Sequence, residues 1–130
     1  MATTTATINI ASSDLTDNAL NVTNTATLNK RGNLEGLDTI ISATKTFTST
    51  SAVDLVAVTG FTATAANKVY IANTGTSESD YFVIGIESEE IGRLYGGDWM
   101  FIPWDASTDD DITITPSVAT AMTAEYMVFS

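Results

Sequence analysis

The sequence contains no cysteine and no histidine, only two prolines, and five basic residues against sixteen acidic ones. The first two absences exclude a Ser-His-Asp or Cys-His nucleophile, an imidazole or thiolate zinc site, and thiol redox chemistry. Most familiar hydrolase mechanisms go with them. Lack of cysteine fits a reducing compartment and equally a later life outside a cell. The cations are Lys30, Arg31, Lys45, Lys68 and Arg93, and the net charge is −11. Binding to nucleic acid or anionic membrane rests on neutralising phosphates with Lys and Arg, so neither is an expected partner. No apolar run approaches the ~20 residues of a spanning helix, and no basic segment followed by an apolar one opens the chain. The expectation is a soluble chain without a signal peptide, made in the cytoplasm.

Hydroxyl groups take the place of charge. The 130 residues include 23 Thr and 11 Ser, about a quarter of the chain, while charged residues make up 16%. Globular domains typically carry about 25%. Thr is β-branched and suits a pleated strand, where its hydroxyl meets water without a formal charge. It also gives up less rotamer freedom than Lys when a surface is covered, so a Thr-rich face can pack on copies of itself at little entropic cost. At ~100–200 residues per domain the chain is expected to be one domain, 1–130.

Period 2 recurs along the chain and period 3.6 does not. Ala6, Ile8 and Ile10 alternate with Thr7 and Asn9. Leu20, Val22, Ala26 and Leu28 alternate with Asn21, Thr23, Thr25 and Thr27, with Asn24 a polar intruder. Both segments read as half-buried strands separated by the turn-rich Asp14 to Asn18. Alternation continues through Ile41, Ala43 and Phe47, then changes register before Val53, Leu55 and Val56, where a bulge or new strand fits. Lys68 to Ala72 carries Val69 and Ile71 on one face, Asn73-Thr74-Gly75-Thr76 reads as a turn, and Tyr81 to Ile86 reads as a strand covered on both sides. Glu87 to Glu90 is a charged connection. Ile91 to Tyr95 leads into Gly96-Gly97-Asp98, read as a tight hairpin turn, from which Trp99 to Ile102 returns until Pro103. Ile112 to Thr115 stops at Pro116, and Met122, Ala124, Tyr126 and Val128 alternate to the end. About eight to ten short strands at this spacing predict an all-β fold, an antiparallel β-sandwich or jelly-roll-like barrel with an N-terminal Thr-rich arm at 1–13.

Several of these segments carry a resemblance. Lys68-Val69-Tyr70-Ile71-Ala72-Asn73-Thr74-Gly75-Thr76, Tyr81-Phe82-Val83-Ile84-Gly85-Ile86, Gly92-Arg93-Leu94-Tyr95-Gly96-Gly97-Asp98-Trp99 and Ala124-Glu125-Tyr126-Met127-Val128 form one series. The series resembles small tailed-bacteriophage virion proteins, as does the Thr-rich opening with Asp14-Leu15-Thr16. The resemblance lies in hairpin patterns and covers the second half of the chain best. It implies a structural component, a capsid cement or decoration protein or a small tail or fibre part, with no catalytic motif to carry over.

Candidate contact residues follow from the pattern. Ala2 to Ile10 carry no charge, so nothing electrostatic protects this arm from pairing with a neighbouring sheet. Ala6, Ile8 and Ile10 are therefore candidate partner contacts, through an arm exchanged between subunits or added to a neighbour; an ordinary edge strand is the alternative. The stretch around Trp99, Met100, Phe101, Ile102 and Trp104 reads mostly as core. Tyr95 beside a turn and Trp104 after Pro103 are expected to be the exposed aromatics and possible contact points. The acids Asp105, Asp109, Asp110 and Asp111 could suit Ca²⁺ or Mg²⁺, but their spacing matches no calcium loop, and a solvated loop is the reading adopted. Glu87, Glu89 and Glu90 offer carboxylates of the kind a glycosidase pairs, in a chain with little else to build a sugar cleft. Asn21-Val22-Thr23 matches a glycosylation sequon without a secretion signal to use it. No metal, cofactor or catalytic residue is assigned.

Three functions remain. One is a virion protein that binds the outside of a phage head through the major capsid protein and stabilises it, associating with itself, as a trimer at symmetry axes by preference. Another is a small tail, collar or fibre component. The third is a carbohydrate-binding β-sandwich module with Tyr95 and Trp104 as its stacking platform. Charge is polarised along the sequence: ten of the sixteen acids fall between Glu78 and Asp111, while residues 1–13 carry none. The acidic connections read as a solvated end and the neutral arm as the assembly end.

Overall fold

The computed structural model describes residues 3–15, 17–30, 32, 35–37 and 40–130. Among them ten strands form: β1 (Thr4–Ser12), β2 (Leu20–Leu28), β3 (Ile40–Phe47), β4 (Val53–Val56), β5 (Lys68–Asn73), β6 (Tyr81–Ile86), β7 (Glu89–Tyr95), β8 (Trp99–Pro103), β9 (Ile112–Pro116) and β10 (Met122–Phe129). Every strand pairing is antiparallel. The chain divides into two compact units, Met1–Asp38 and Thr39–Ser130.

The first unit is a two-stranded ribbon. β1 and β2 pair over nine rungs, from Thr4 opposite Leu28 to Ser12 opposite Leu20. At its base the Leu37 amide donates to the Leu28 carbonyl at 3.1 Å. The Thr4 hydroxyl donates to the Leu37 carbonyl at 3.1 Å, and Leu28 and Leu37 are buried there. Elsewhere the ribbon departs from the half-buried strands expected of its alternation. Ile8, Ile10 and Val22 are 41%, 51% and 46% exposed. A sheet of two strands can alternate in chemistry without having any second layer to bury its apolar side. Ala2 of the expected arm lies outside the described residues.

The second unit is a β-sandwich of two four-stranded sheets in the orders β3-β10-β5-β8 and β4-β9-β6-β7. Of the two expected forms the sandwich is the one present, and among the described residues no sheet closes into a barrel. Side chains that alternate inward from both sheets make one core: Phe47, Val69, Ile71, Ala124 and Val128 from the first, Leu55, Phe82, Ile84, Leu94, Ile112 and Ile114 from the second. Phe47 and Phe82 meet edge to face across it with ring centres 5.4 Å apart. β6 and β9 are the inner strands of their sheet, and the Ile-Thr alternation of β9 puts Ile112 and Ile114 in the core until Pro116 ends the strand. A register shift between Asp54 and Val56 marks the irregularity expected near β4. Of β6, Phe82 and Ile84 are fully buried and Tyr81 and Val83 half-buried, so the strand is covered completely on one side alone.

One connection differs from its sequence reading. Gly96-Gly97-Asp98 joins β7 in one sheet to β8 in the other, so it turns the chain between layers rather than closing a hairpin. Gly97 takes φ +87°, and a Cβ at Gly96 would sit 2.6 Å from the Ser77 carbonyl oxygen, so the two glycines answer to different constraints. The buried Asn73 clamps this crossing. Its Nδ2 donates to the Leu94 carbonyl at 2.9 Å, its backbone amide to the Asp98 carbonyl at 2.9 Å, and its carbonyl accepts from the Gly97 amide at 3.0 Å.

These packing differences fix a stability contrast. Phe82→Ala empties a fully buried position and is expected to cost the sandwich about 3–5 kcal/mol. Ile8→Ala removes an exposed side chain and is expected to cost its unfolding transition under about 0.5 kcal/mol. Urea unfolding followed by tryptophan fluorescence measures both, and equal losses would contradict the assignment of core and surface.

Candidate functional site

Antiparallel pairing places directly opposed residues on the same side of a ribbon, so the β1–β2 register sorts its side chains completely. One face carries Ala6, Ile8 and Ile10 of β1 with Leu20, Val22, Asn24, Ala26 and Leu28 of β2, and Thr4 and Ser12 at its ends. The other carries Thr5, Thr7, Asn9 and Ala11 with Asn21, Thr23, Thr25 and Thr27. Two rungs of the hydroxylic face are bonded across the strands: the Thr7 and Thr25 hydroxyls lie 2.8 Å apart, and Thr23 donates to Asn9 Oδ1 at 3.1 Å. The apolar face offers no such closure. Of the candidate contacts on it, Ala6 is half-buried, and Ile8 and Ile10 are exposed.

Tyr95 and Trp104 do not form a shared platform. Tyr95 is exposed on the outer side of the β4-β9-β6-β7 sheet, with its ring centre 5.1 Å from that of Tyr81. Arg93 stacks over Tyr81 at 4.8 Å, and its Nε donates to Glu90 Oε1 at 3.3 Å. The Glu90 bond, with help from Tyr81, raises the pKa of the guanidinium above its ordinary value. Trp104 was expected at the surface and is instead core, 2% exposed. Its ring packs edge to face on Phe61 at 5.1 Å, and its Nε1 donates to the Asp110 carbonyl at 2.8 Å. The reason is parity. Met100, Ile102 and Trp104 share the inward side of an alternation that continues past Pro103, and Trp99 and Phe101 share the outward side.

That outward side makes a second uncovered surface. Trp99, expected in the core, is 52% exposed. It pairs across to Ala72, and next to it Tyr70 pairs with Phe101 and Met127. Tyr70 and Trp99 ring centres are 6.3 Å apart, as are those of Phe101 and Phe129. Ile40 opposite Phe129 extends the patch to the edge strand β3. An aromatic outer sheet face of this kind marks contact sites more often than a solvated one. Sequence reading missed it by counting the aromatics as core, although the parity that separates Trp99 from Trp104 was present.

The polar features are engaged internally. A cleft of about 390 Å³ runs beside Asn73, Thr74, Ser77, Asp80 and Gly96. Asn73 Oδ1 accepts from the Gly75 amide at 2.9 Å, Ser77 Oγ from the Asp80 amide at 3.0 Å, and Thr74 donates to the Thr123 carbonyl at 3.0 Å. In the 105–111 loop, Asp105 Oδ1 accepts from the Thr64 amide and Asp111 Oδ1 from the Val58 amide, both at 2.6 Å. Two of the acids read as solvated are therefore staples holding loops 41 and 53 residues away in sequence. Among the described residues no three acidic side chains gather closely enough to hold a metal ion. Glu87 lies in the β6–β7 turn at φ +55°, with its amide bonded to the Asp111 carbonyl, and Glu89 and Glu90 begin β7.

No protein family, curated protein or solved structure matches this chain.

The staple role of the acidic loop is measurable. Asp111→Ala leaves the Val58 amide without its acceptor and is expected to lower stability by about 1–3 kcal/mol. Asp54→Ala, on an exposed strand position, is expected to change it by under about 0.5 kcal/mol. Millimolar Ca²⁺ is expected to leave the Tm of the unaltered chain in place, and a rise of several degrees would show that the loop binds a cation.

Proposed function

We propose that this chain is a non-enzymatic bacteriophage virion structural protein, a capsid cement or decoration protein that associates with itself and stabilises the outside of the shell. The observation that carries the reading is the pair of uncovered apolar surfaces on one small chain, the ribbon face around Ile8, Ile10 and Val22 and the sheet face around Trp99. A building block needs surfaces for its own copies and for its shell. An enzyme or sugar-binding module needs a cleft with free polar groups, and here the polar groups named along the cleft tie loops together. The resemblance of the Lys68 to Thr76, Tyr81 to Ile86, Gly92 to Trp99 and Ala124 to Val128 segments to small phage virion proteins is the sequence ground for the same reading. In it, the Trp99 face contacts the major capsid protein, and the acidic connections keep finished particles apart through like charge.

Copy number tests this directly. Mass spectrometry of intact particles is expected to find the chain at an abundance approaching that of the major shell protein, and shells lacking it are expected to lose resistance to heat or low salt. Trp99→Ala with Phe101→Ala is expected to weaken particle binding by tenfold or more, since buried Trp contacts commonly carry upwards of ~2 kcal/mol of binding. A handful of copies per particle would move the protein to the tail, collar or fibre, and absence from particles would end the virion reading.

A further inference from the structure

The ribbon has an internal symmetry. Of its nine rungs, Ile8 opposite Asn24 is the middle one, with four rungs on either side. Asn24 is also the one polar side chain of that face between its end rungs, which carry Thr4 and Ser12. We propose that this face is covered by the same face of a second copy of the chain. The two ribbons lie antiparallel, with a twofold axis crossing the Ile8–Asn24 rung.

Charge selects a second copy as the occupant. Neither β1 nor β2 carries a charged side chain. Residues 39–130 carry three basic and twelve acidic residues, 3 − 12 = −9. Two copies meeting through that acidic unit would bring carboxylates together in a low dielectric, whereas the ribbon is neutral and apolar. A cationic foreign partner would be drawn to the acidic unit rather than to the ribbon.

The amide and the ribbon tip then select the orientation. Two ribbons can stack face to face about a twofold axis in two ways. An axis across the strands lays β1 on β1 and β2 on β2, so Asn24 meets its own twofold mate. Each amide then donates to and accepts from the other. An axis along the strands lays β1 on β2 and sets Asn24 against Ile8, where the buried amide has no partner, a costly arrangement. A single polar side chain in an apolar seam fixes register in coiled coils by the same logic. The tip between the strands carries Asp14 and Asp17. Antiparallel ribbons hold the two tips apart by the ribbon length, about 30 Å at ~3.4 Å per residue. A parallel pair would gather four of these carboxylates, and a threefold bundle of parallel ribbons six. Both constraints pick the antiparallel pair over the parallel one, and the tip charge disfavours the threefold bundle.

The area sets the strength. A face of about 30 by 10 Å gives a total of roughly 600 Å² for the pair, below the ~1,000 Å² of an interface that stands alone. The pair is thus expected to form at micromolar to higher concentrations in solution and to be reinforced where copies are tethered side by side. It is a property of the chain itself and goes beyond the particle reading, which can fail without it.

The full chain with Ser13→Cys, whose thiol is unique, can be spin-labelled at the tip and studied by electron paramagnetic resonance at ~100 µM. The expected result is an intermolecular distance of about 30 Å or somewhat more. It should be retained in ~1 M salt, where screening shortens the Debye length to ~3 Å. Ile8→Asn with Ile10→Asn is expected to abolish that distance, with Thr7→Ser on the opposite face as the control that keeps it. Asn24→Leu in ~1 M salt, which also screens the tip carboxylates, is expected to preserve association but add a second, short distance from parallel pairs. A distance below about 20 Å in the unaltered ribbon would overturn the arrangement. So would a monomer with no intermolecular distance, or an Asn24→Leu variant with an unchanged distribution.

Discussion

A sheet of two strands has two faces and no second layer. Everything distinctive about this chain follows from that constraint meeting a sequence that makes one ribbon face apolar and the other hydroxylic. In the 39–130 unit the same alternation is resolved internally, because eight strands form two sheets and the apolar sides of both point at each other around Phe47 and Phe82. In the ribbon, Thr7, Thr25, Thr23 and Asn9 complete one another's hydrogen bonds, while Ile8, Ile10 and Val22 stay in water. Isolated two-stranded hairpins are marginal at best, so in the proposed pair covering this face would stabilise the ribbon as well as join the copies.

Charge directs what the apolar surfaces leave open. Acids are concentrated in the connections of the sandwich and at the ribbon tip, and the strands of the ribbon have none. Such a distribution makes most approaches between copies unfavourable and leaves a neutral seam as the compatible one. Some of the acids also have local work. Asp105 and Asp111 each accept from a distant backbone amide, so the loop after Trp104 is held as part of the fold rather than left to solvent. Most of a large negative charge can serve solubility while a few carboxylates serve structure.

Much of this was legible in the sequence because period 2 is a local signal. Val69 and Ile71, Ile112 and Ile114, and the run from Met122 to Val128 point inward as their alternation requires, and Pro103 and Pro116 end their strands. The errors came where the deciding fact is not local. Alternation says which side chains share a face but not whether that face is covered, and the ribbon was therefore read as half-buried. The glycine turn at Gly96 and Gly97 has the composition of a hairpin, and only the pairing of β8 with β5 shows that it carries the chain between sheets. The staples from Asp105 and Asp111 join segments far apart in sequence. Trp99 and Trp104 are different: their opposite parity was written in the sequence, and Pro103 obscured it by ending the strand one residue before the alternation ended.

Hydrogen exchange of backbone amides, followed against protein concentration, tests most directly whether the ribbon depends on another copy for its cover. At low micromolar concentration the amides of β1 and β2 are expected to exchange far faster than those of Val69, Ile71 and Val128. They should slow as concentration rises, while the sandwich amides stay unchanged. Ribbon amides as protected as those of the core at the lowest concentration, with no dependence on concentration, would contradict the account.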